Sequence, residues 1–322
     1  MPEADDRSQF LSRRRCLQLG AGGALAAPFF SLSGASTAAE PAAASRKRTL
    51  RFAHLTDMHV QPEHGAAEGL VQCLKHVQSH RDPVELIVTG GDSVMDAFNA
   101  DHSRSSMLVD LWKGIFKQDC SLPAQHCLGN HDGRGWDDSE FAGKAWALEM
   151  FGLAKPYHAF EQGGWKFIVL DSVRPWEDRY TSGLDVPQRA WLETELEHTP
   201  PTTPIVVVSH IPILSITPFS FDHNAVTENY QRVPGGLMHL DGTALHALFK
   251  KQGNVKLCLS GHMHLNDRCD VDGVSYICNG AVSGNWWRGS NDRSQEGYGL
   301  VDLYDDGTFD YAYTQFGWKA RA

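Results

Sequence analysis

Six short apolar runs, each followed by a loop loaded with ionisable or amide side chains, constrain this chain more than any other feature. Leu50-Arg51-Phe52-Ala53-His54-Leu55 leads to Asp57, and Leu86-Ile87-Val88-Thr89 leads to Gly90-Gly91-Asp92. Gln125-His126-Cys127-Leu128 leads to Gly129-Asn130-His131-Asp132, and Phe167-Ile168-Val169-Leu170 leads to Asp171. Ile205-Val206-Val207-Val208 leads to Ser209-His210, and Val255-Lys256-Leu257-Cys258-Leu259 leads to Gly261-His262. Bounded runs of this length, rich in β-branched residues, read as strands. Amphipathic helices are expected at Leu70 to Ser79 and at Pro187 to His198, where Pro187 suits a first turn. Strands alternating with helices predict an α/β sandwich with mixed sheets. In such folds the loops at the carboxyl ends of strands form the site, so residues far apart in sequence can converge. Beyond Gly273 the chain turns strand-rich, at Val274 to Cys278, Gly299 to Tyr304 and Phe309 to Tyr313, with a hairpin turn at Asp306-Gly307.

The loops carry a particular chemistry. Asp57 and His59 are two residues apart and can chelate one ion. Asp92 follows two glycines, which allow close approach of backbone and carboxylate to a metal. Asn130 offers a neutral carbonyl oxygen beside the His131 imidazole; His210 follows a buried run; His262 and His264 flank Met263. Imidazole mixed with carboxylate suits transition metals better than Ca or Mg alone. The set exceeds what one tetrahedral ion needs, and two ions sharing a carboxylate would use it well.

In this order the motifs resemble those of the calcineurin-like metallophosphoesterase superfamily. They stand as Asp57-Met58-His59, Gly91-Asp92, Gly129-Asn130-His131-Asp132, His210 and Gly261-His262-Met263-His264, and the resemblance runs over residues 50–285. The helix containing Gln188-Arg189-Ala190-Trp191-Leu192 is similar to family members as well. The resemblance implies a four-layer α-β-β-α sandwich with two mixed β-sheets. It implies that Asp57, His59 and His264 bind one metal, that Asn130, His210 and His262 bind a second, and that Asp92 bridges them. Fe, Mn or Zn are the divalent or trivalent ions expected. A hydroxide shared by the two ions would then attack phosphorus in line with the leaving oxygen. His131 need not be a ligand and is the candidate to protonate the leaving alkoxide or to hold the phosphoryl group.

Two departures narrow the branch. Phosphoprotein phosphatases keep Asp three residues after the bridging Asp and then Arg; here Met95 stands there, with Asp96 and Ala97 after it. Asp96 is the remaining candidate to orient His131. Purple acid phosphatases place Tyr at the Met95 position and D-x-G where His59 stands, and both are absent. The general phosphodiesterase branch fits better. Relatives that lose catalysis tend to lose the His beside the metal-binding Asn, and His131 is present.

Asn285-Trp286-Trp287-Arg288 follows a Gly-rich turn. Trp286, Trp287 and Arg288 are candidates to line a substrate pocket by stacking and anion pairing; the competing reading is an aromatic pair capping the core. His64, His102 and His223 are loop candidates for substrate contact, and Phe219 to His223 a candidate lid. His54, His76, His80, His126, His158, His198, His239 and His246 have no motif partners and read as packing or surface residues. Asp171 suits a structural cap as well as a role in the site.

Residues 1–39 read as a signal peptide: Arg13-Arg14-Arg15, a mild apolar stretch Leu17 to Leu32, then small residues to Ala39. Consecutive arginines before weak hydrophobicity resemble a twin-arginine signal, with Cys16 where Phe is usual. Expectations follow: export by the twin-arginine machinery, a periplasmic or secreted product, a linker over 40–48 and a metallophosphoesterase domain over 49–322. No segment suits a stable membrane span. The net charge of -10 argues against a nucleic-acid backbone as partner, but not against a small phosphorylated substrate drawn to a metal site. Outside the signal, Cys73, Cys120, Cys127, Cys258, Cys269 and Cys278 remain. A two-residue turn at Asp272-Gly273 would set Cys269 opposite Tyr276, not Cys278, so buried free thiols are expected.

The function expected is hydrolysis of a phosphodiester or phosphomonoester. The alternatives are a nucleotide-sugar or lipid pyrophosphatase and, from another class, a non-catalytic metal-stabilised interaction scaffold.

Overall fold

The computed structural model describes residues 46–133, 135, 143–220 and 225–320. The expected signal peptide, residues 40–45 of the expected linker and His223 lie outside them. Along the chain the elements run β1 (Arg48–Leu55), α1 (Ala66–Gln78), β2 (Leu86–Gly90), α2 (His102–Asp119), β3 (Ala124–Cys127) and α3 (Gly143–Phe151). There follow β4 (His158–Gln162), β5 (Trp165–Leu170), β6 (Val173–Trp176), β7 (Arg179–Ser182), α4 (Val186–His198), β8 (Ile205–Ser209) and the short β9 (Ala225–Val226) and β10 (Gln231–Arg232). The chain closes with α5 (Gly242–Gln252), β11 (Val255–Ser260), β12 (Asp267–Val271), β13 (Val274–Cys278), β14 (Gly297–Tyr304) and β15 (Phe309–Gln315).

Two mixed sheets carry the fold. One has the order β15-β14-β1-β2-β3, the other β12-β13-β11-β8-β5-β4. The expected α-β-β-α layering follows from three apolar clusters. Phe52, Val88, Phe167, Val206, Leu257 and Val301 meet between the sheets. Leu70, Leu74, Leu108 and Trp112 cover the first sheet from α1 and α2. Leu192, Leu196, Leu245 and Phe249 cover the second from α4 and α5. Central strands such as β8 are buried on both faces, which is why they read as unbroken apolar runs.

Within each sheet the central strands run parallel: β1 with β2, β2 with β3, β5 with β8 and β8 with β11. Their carboxyl ends therefore point the same way, and the polar loops gather there. β1 begins at Arg48, inside the stretch expected as linker. The β12–β13 hairpin sets Cys269 opposite Tyr276, as the turn predicted, and the six cysteines of the described residues are free. Among the described residues no helix is long and apolar enough to cross a membrane.

Several elements escape sequence periodicity. Helix α2 starts on Asp101, whose side chain accepts from the Arg104 amide, but its first turn is His-Ser-Arg-Ser and shows no apolar stripe. The β6–β7 hairpin leaves β5 almost at once, and its residues 174–179 are exposed.

Candidate metal centre

The loop after β1 is fastened to the loop after β2 by backbone hydrogen bonds. The amides of Asp57, His59 and Val60 donate to the carbonyls of Gly91, Asp92 and Ser93, at 3.0, 3.0 and 3.1 Å. The loop after β11 joins them, because the His262 amide donates to both Asp57 carboxylate oxygens, at 3.1 and 2.9 Å. Two motif glycines make the approach possible. A Cβ on Gly129 would stand 2.2 Å from Asp92 Oδ1, and one on Gly261 would stand 1.9 Å from Thr56 Oγ1.

Three overlapping groups of metal-competent side chains result: Asp57, His59 and His264; His59, Asp92 and His131; and Asp92, His210 and His262. Asp92 Oδ2 lies 3.6 Å from His59 Nε2 and 3.2 Å from His210 Nε2, so one carboxylate faces both ends of the row. Asn130 Oδ1 lies 3.0 Å from His210 Nε2. Asp57 Oδ1 lies 3.4 Å from His264 Nε2. All seven residues singled out as ligands in the sequence are thus neighbours.

Whether the residues fit a metal can be tested on their own geometry. His264 Nδ1 donates to the Gly284 carbonyl at 2.6 Å, and His210 Nδ1 to the Gly90 carbonyl at 2.8 Å. The opposite nitrogens are left as lone-pair donors, the usual arrangement behind a metal-binding imidazole. Those nitrogens converge: His59 Nε2 and His264 Nε2 are 3.0 Å apart, and His210 Nε2 and His262 Nδ1 are 3.2 Å apart. Facing lone pairs in a buried site repel unless a cation or proton lies between them. Among the described residues His262 Nε2 is itself buried without a partner. The backbone is strained at the same places. Asp57, His59, Asp92, His262 and His264 all adopt left-handed φ, between 42° and 70°, a conformation costing about 1–3 kcal/mol in a non-glycine residue and typical of functional sites. The residues fit divalent metal ions.

Protein charges alone already shape the proton balance. Burial pushes His59 down to about 3 and His262 down to about 4. Burial also depresses His210, but Asp92 outweighs it and raises the imidazole to about 9. His131 follows the same course, raised to about 9 by Asp92 and Asp96 against burial.

His131 stands edge-on to His59, with ring centroids 4.9 Å apart, and its amide donates to Asp92 Oδ1 at 2.8 Å. Asp96 Oδ1 is 3.6 Å from His131 Nδ1, beyond a hydrogen bond, and Asp96 also holds the Asn99 amide and side chain. At Met95 the backbone is the working part: its carbonyl lies 3.4 Å from His59 Nδ1.

The tandem tryptophans divide. Trp286 leans over the first group, with its ring centroid 4.7 Å from His264 and 6.0 Å from His59. Trp287 does not line the site, which corrects the sequence expectation. It is 1% exposed, packs against Gly69, and its Nε1 donates to the Met58 and His59 carbonyls. The reason is conformational: both residues have positive φ, 50° and 68°, so the pair forms a turn and not an alternating strand. Arg288 is exposed and pairs with His64, 3.1 Å away. Asp171 binds Lys144 and accepts from the Val173 amide at 3.3 Å, a cap at the end of β5.

Two features were not visible in the sequence. Tyr180, on β7, forms a T-shaped contact with His262, with centroids 6.1 Å apart and planes at 82°. His239 links Ser209 Oγ, at 3.0 Å, to Asp241, at 2.9 Å, directly behind His210. Ser209 is 1% exposed and its hydroxyl donates to the Ile211 carbonyl, so this Ser-His-Asp series braces a turn and does not present a nucleophile. Neither signal is local, because Tyr180 meets His262 and His239 meets Ser209 across separate segments.

A cavity of about 540 Å³ is lined by Thr217, Leu265, Asn266, Asp292, Arg293 and Ser294, and none of the seven ligand candidates lines it.

The family model for calcineurin-like phosphoesterases matches residues 50–266. The chain belongs to that family. Solved structures share its fold. A dimetal phosphatase from Danio rerio superposes with a TM-score of 0.58 at 14% identity, over 84% of this chain and 100% of that one. GAP50, the anchor in the inner membrane complex of Plasmodium, does so with a TM-score of 0.53 at 19% identity, over 83% of this chain and 85% of that one. At such identities the likeness carries the fold alone. No curated protein matches the chain in sequence. Membership supports a phosphoester hydrolase, and the Asp and His groups suit divalent metal ions.

Proposed function

We propose that the chain is an exported phosphoester hydrolase with two metal ions, divalent or trivalent Fe, Mn or Zn, acting on a small phosphorylated substrate. The observation that carries it is Asp92: one buried carboxylate faces His59 on one side and His210 on the other. Asp57, His59 and His264 would hold one ion and Asn130, His210 and His262 the other, with Asp92 shared. Bound there, the ions supply Lewis-acid charge for a phosphoryl group and make an attacking water more acidic.

The protein's own residues do the rest. Gly90 and Gly284 carbonyls fix two of the imidazoles in the orientation that points Nε2 inward. His131 donates a proton to the departing oxygen, a role open to it because it flanks Asp92 and is not needed in either ligand set. Trp286 forms a wall at the His264 end. Export rests on the Arg13-Arg14-Arg15 segment and its apolar stretch.

The test is metal analysis of protein recovered from the exported fraction, joined to a panel of monoester, diester and diphosphate substrates. Two ions per chain with ester turnover support the reading. Full metal content with no turnover on any of them would leave the scaffold alternative.

A further inference from the structure

We propose that Tyr180 is a substrate-binding residue, whose hydroxyl donates a hydrogen bond to a non-bridging phosphoryl oxygen. The inference rests on the hydrolase reading above.

The argument starts from the hairpin that carries it. β6 and β7 leave the end of β5, beside the centre, and pair from Val173–Ser182 out to Trp176–Arg179. Such a two-stranded hairpin is marginal alone, yet this one is clamped. The Ser182 amide donates to the Gly235 carbonyl at 2.9 Å, and Ser182 Oγ lies 2.6 Å from the carbonyls of both Gly235 and Met238. The Leu240 amide returns a hydrogen bond to Ser182 Oγ at 3.2 Å. Gly236 packs against the Tyr180 ring itself. The ring position is therefore fixed from two sides.

What it is fixed against is a metal-competent imidazole. Tyr180 lies edge-on to His262, at the far end of the row from Trp286. Among the described residues its hydroxyl has no hydrogen-bond partner, although a half-buried phenol usually finds one. A phosphoryl oxygen at the centre would be that partner. His131 adjoins His59 and Tyr180 adjoins His262, which would give the phosphoryl group a donor at each flank.

A contact to the phosphoryl group, which monoesters, diesters and free phosphate share, predicts the same loss with all three. Tyr180→Phe keeps the ring and removes only the hydroxyl. In metal-loaded protein the variant should bind inorganic phosphate about tenfold more weakly by titration calorimetry, the scale of a hydrogen bond to a charged group. Its kcat/KM on p-nitrophenyl phosphate and on bis(p-nitrophenyl) phosphate should fall by a similar factor, with metal content and melting temperature unchanged. Unchanged phosphate affinity, a loss confined to the diester, or a parent protein that binds no phosphate would each overturn the assignment. If the parent binds phosphate but cleaves neither ester, the hydrolase reading fails, and the phosphate titration still decides Tyr180.

Discussion

His59 Nε2 and His264 Nε2 face each other at 3.0 Å inside a buried site, with each ring's other nitrogen turned to a backbone carbonyl, Met95 for His59 and Gly284 for His264. Neither nitrogen has a proton to spare for the other in the neutral tautomers this implies. Such an arrangement is stable when a cation sits between the lone pairs.

Removing metal should therefore destabilise the fold as well as stop catalysis. Stripping with a chelator is expected to lower the melting temperature by roughly 5–15 °C, the scale expected when tight ligands bind only the folded state. Readdition of Zn or Mn should restore it. A metal-containing sample whose melting temperature ignores the chelator, after the ions are shown to have left, would contradict this.

Asp92→Asn keeps the shape of the side chain and its acceptor for the His131 amide but removes the shared charge. Metal content by elemental analysis should fall well below that of the parent, and turnover should fall with it. Parent-like metal content and activity would rule out a shared carboxylate.

His131→Ala should leave both ions in place while lowering kcat about 10²–10⁴-fold on an alkyl phosphoester, where the leaving oxygen needs a proton. The loss should shrink with a p-nitrophenyl leaving group, which departs without one. Equal losses on both substrates would remove proton donation from its role.

Gly69→Ala tests the Trp287 anchor. The new methyl would stand 2.1 Å from Trp287 Cζ3, in the middle of an indole that is 1% exposed. A destabilisation of about 1–3 kcal/mol is expected from overpacking, read by denaturant unfolding. A variant as stable as the parent would show that Trp287 has room to move.

His239→Ala removes the brace between Ser209 and Asp241. Because Ser209 immediately precedes His210, metal affinity should fall about tenfold, the smaller end of the range for residues that orient ligands, with the first group of ligands less affected. The readout is competition with a chelating dye. Unaltered affinity would confine His239 to packing.

The central strands of both sheets were legible because parallel strands there are apolar on both faces, as β8 shows, whereas the edge strand β4, with no fully buried residue, was not. The hairpin of β12 and β13 was legible from one turn, Asp272-Gly273. Helices α2, α3 and α5 were not, although each buries apolar residues, Leu108, Trp112 and Ile115 on α2, Trp146 and Phe151 on α3, Leu245 and Phe249 on α5, because each buried face also includes a small or polar residue, Ser105, Gly143 and Gly242, that blurs the stripe. Trp287 shows the limit from the other side: Trp286-Trp287 reads as a pair of equals, and the left-handed turn at both residues sends one to the metal groups and one into the core.

By itself the sequence picked out the side chains that the fold gathers at the candidate centre. Asp57, His59, Asp92, Asn130, His210, His262 and His264 declare themselves because each follows an apolar run, and charged groups at strand ends are costly to bury without a partner. Only the tertiary structure decided how they are held: the left-handed backbone at five of them, the carbonyls that turn the imidazoles inward, and the approach of Tyr180 and His239 from separate loops. Those are relations between segments far apart in sequence. They arise when parallel strands bring their carboxyl ends to one edge, and spacing along a single chain does not encode them.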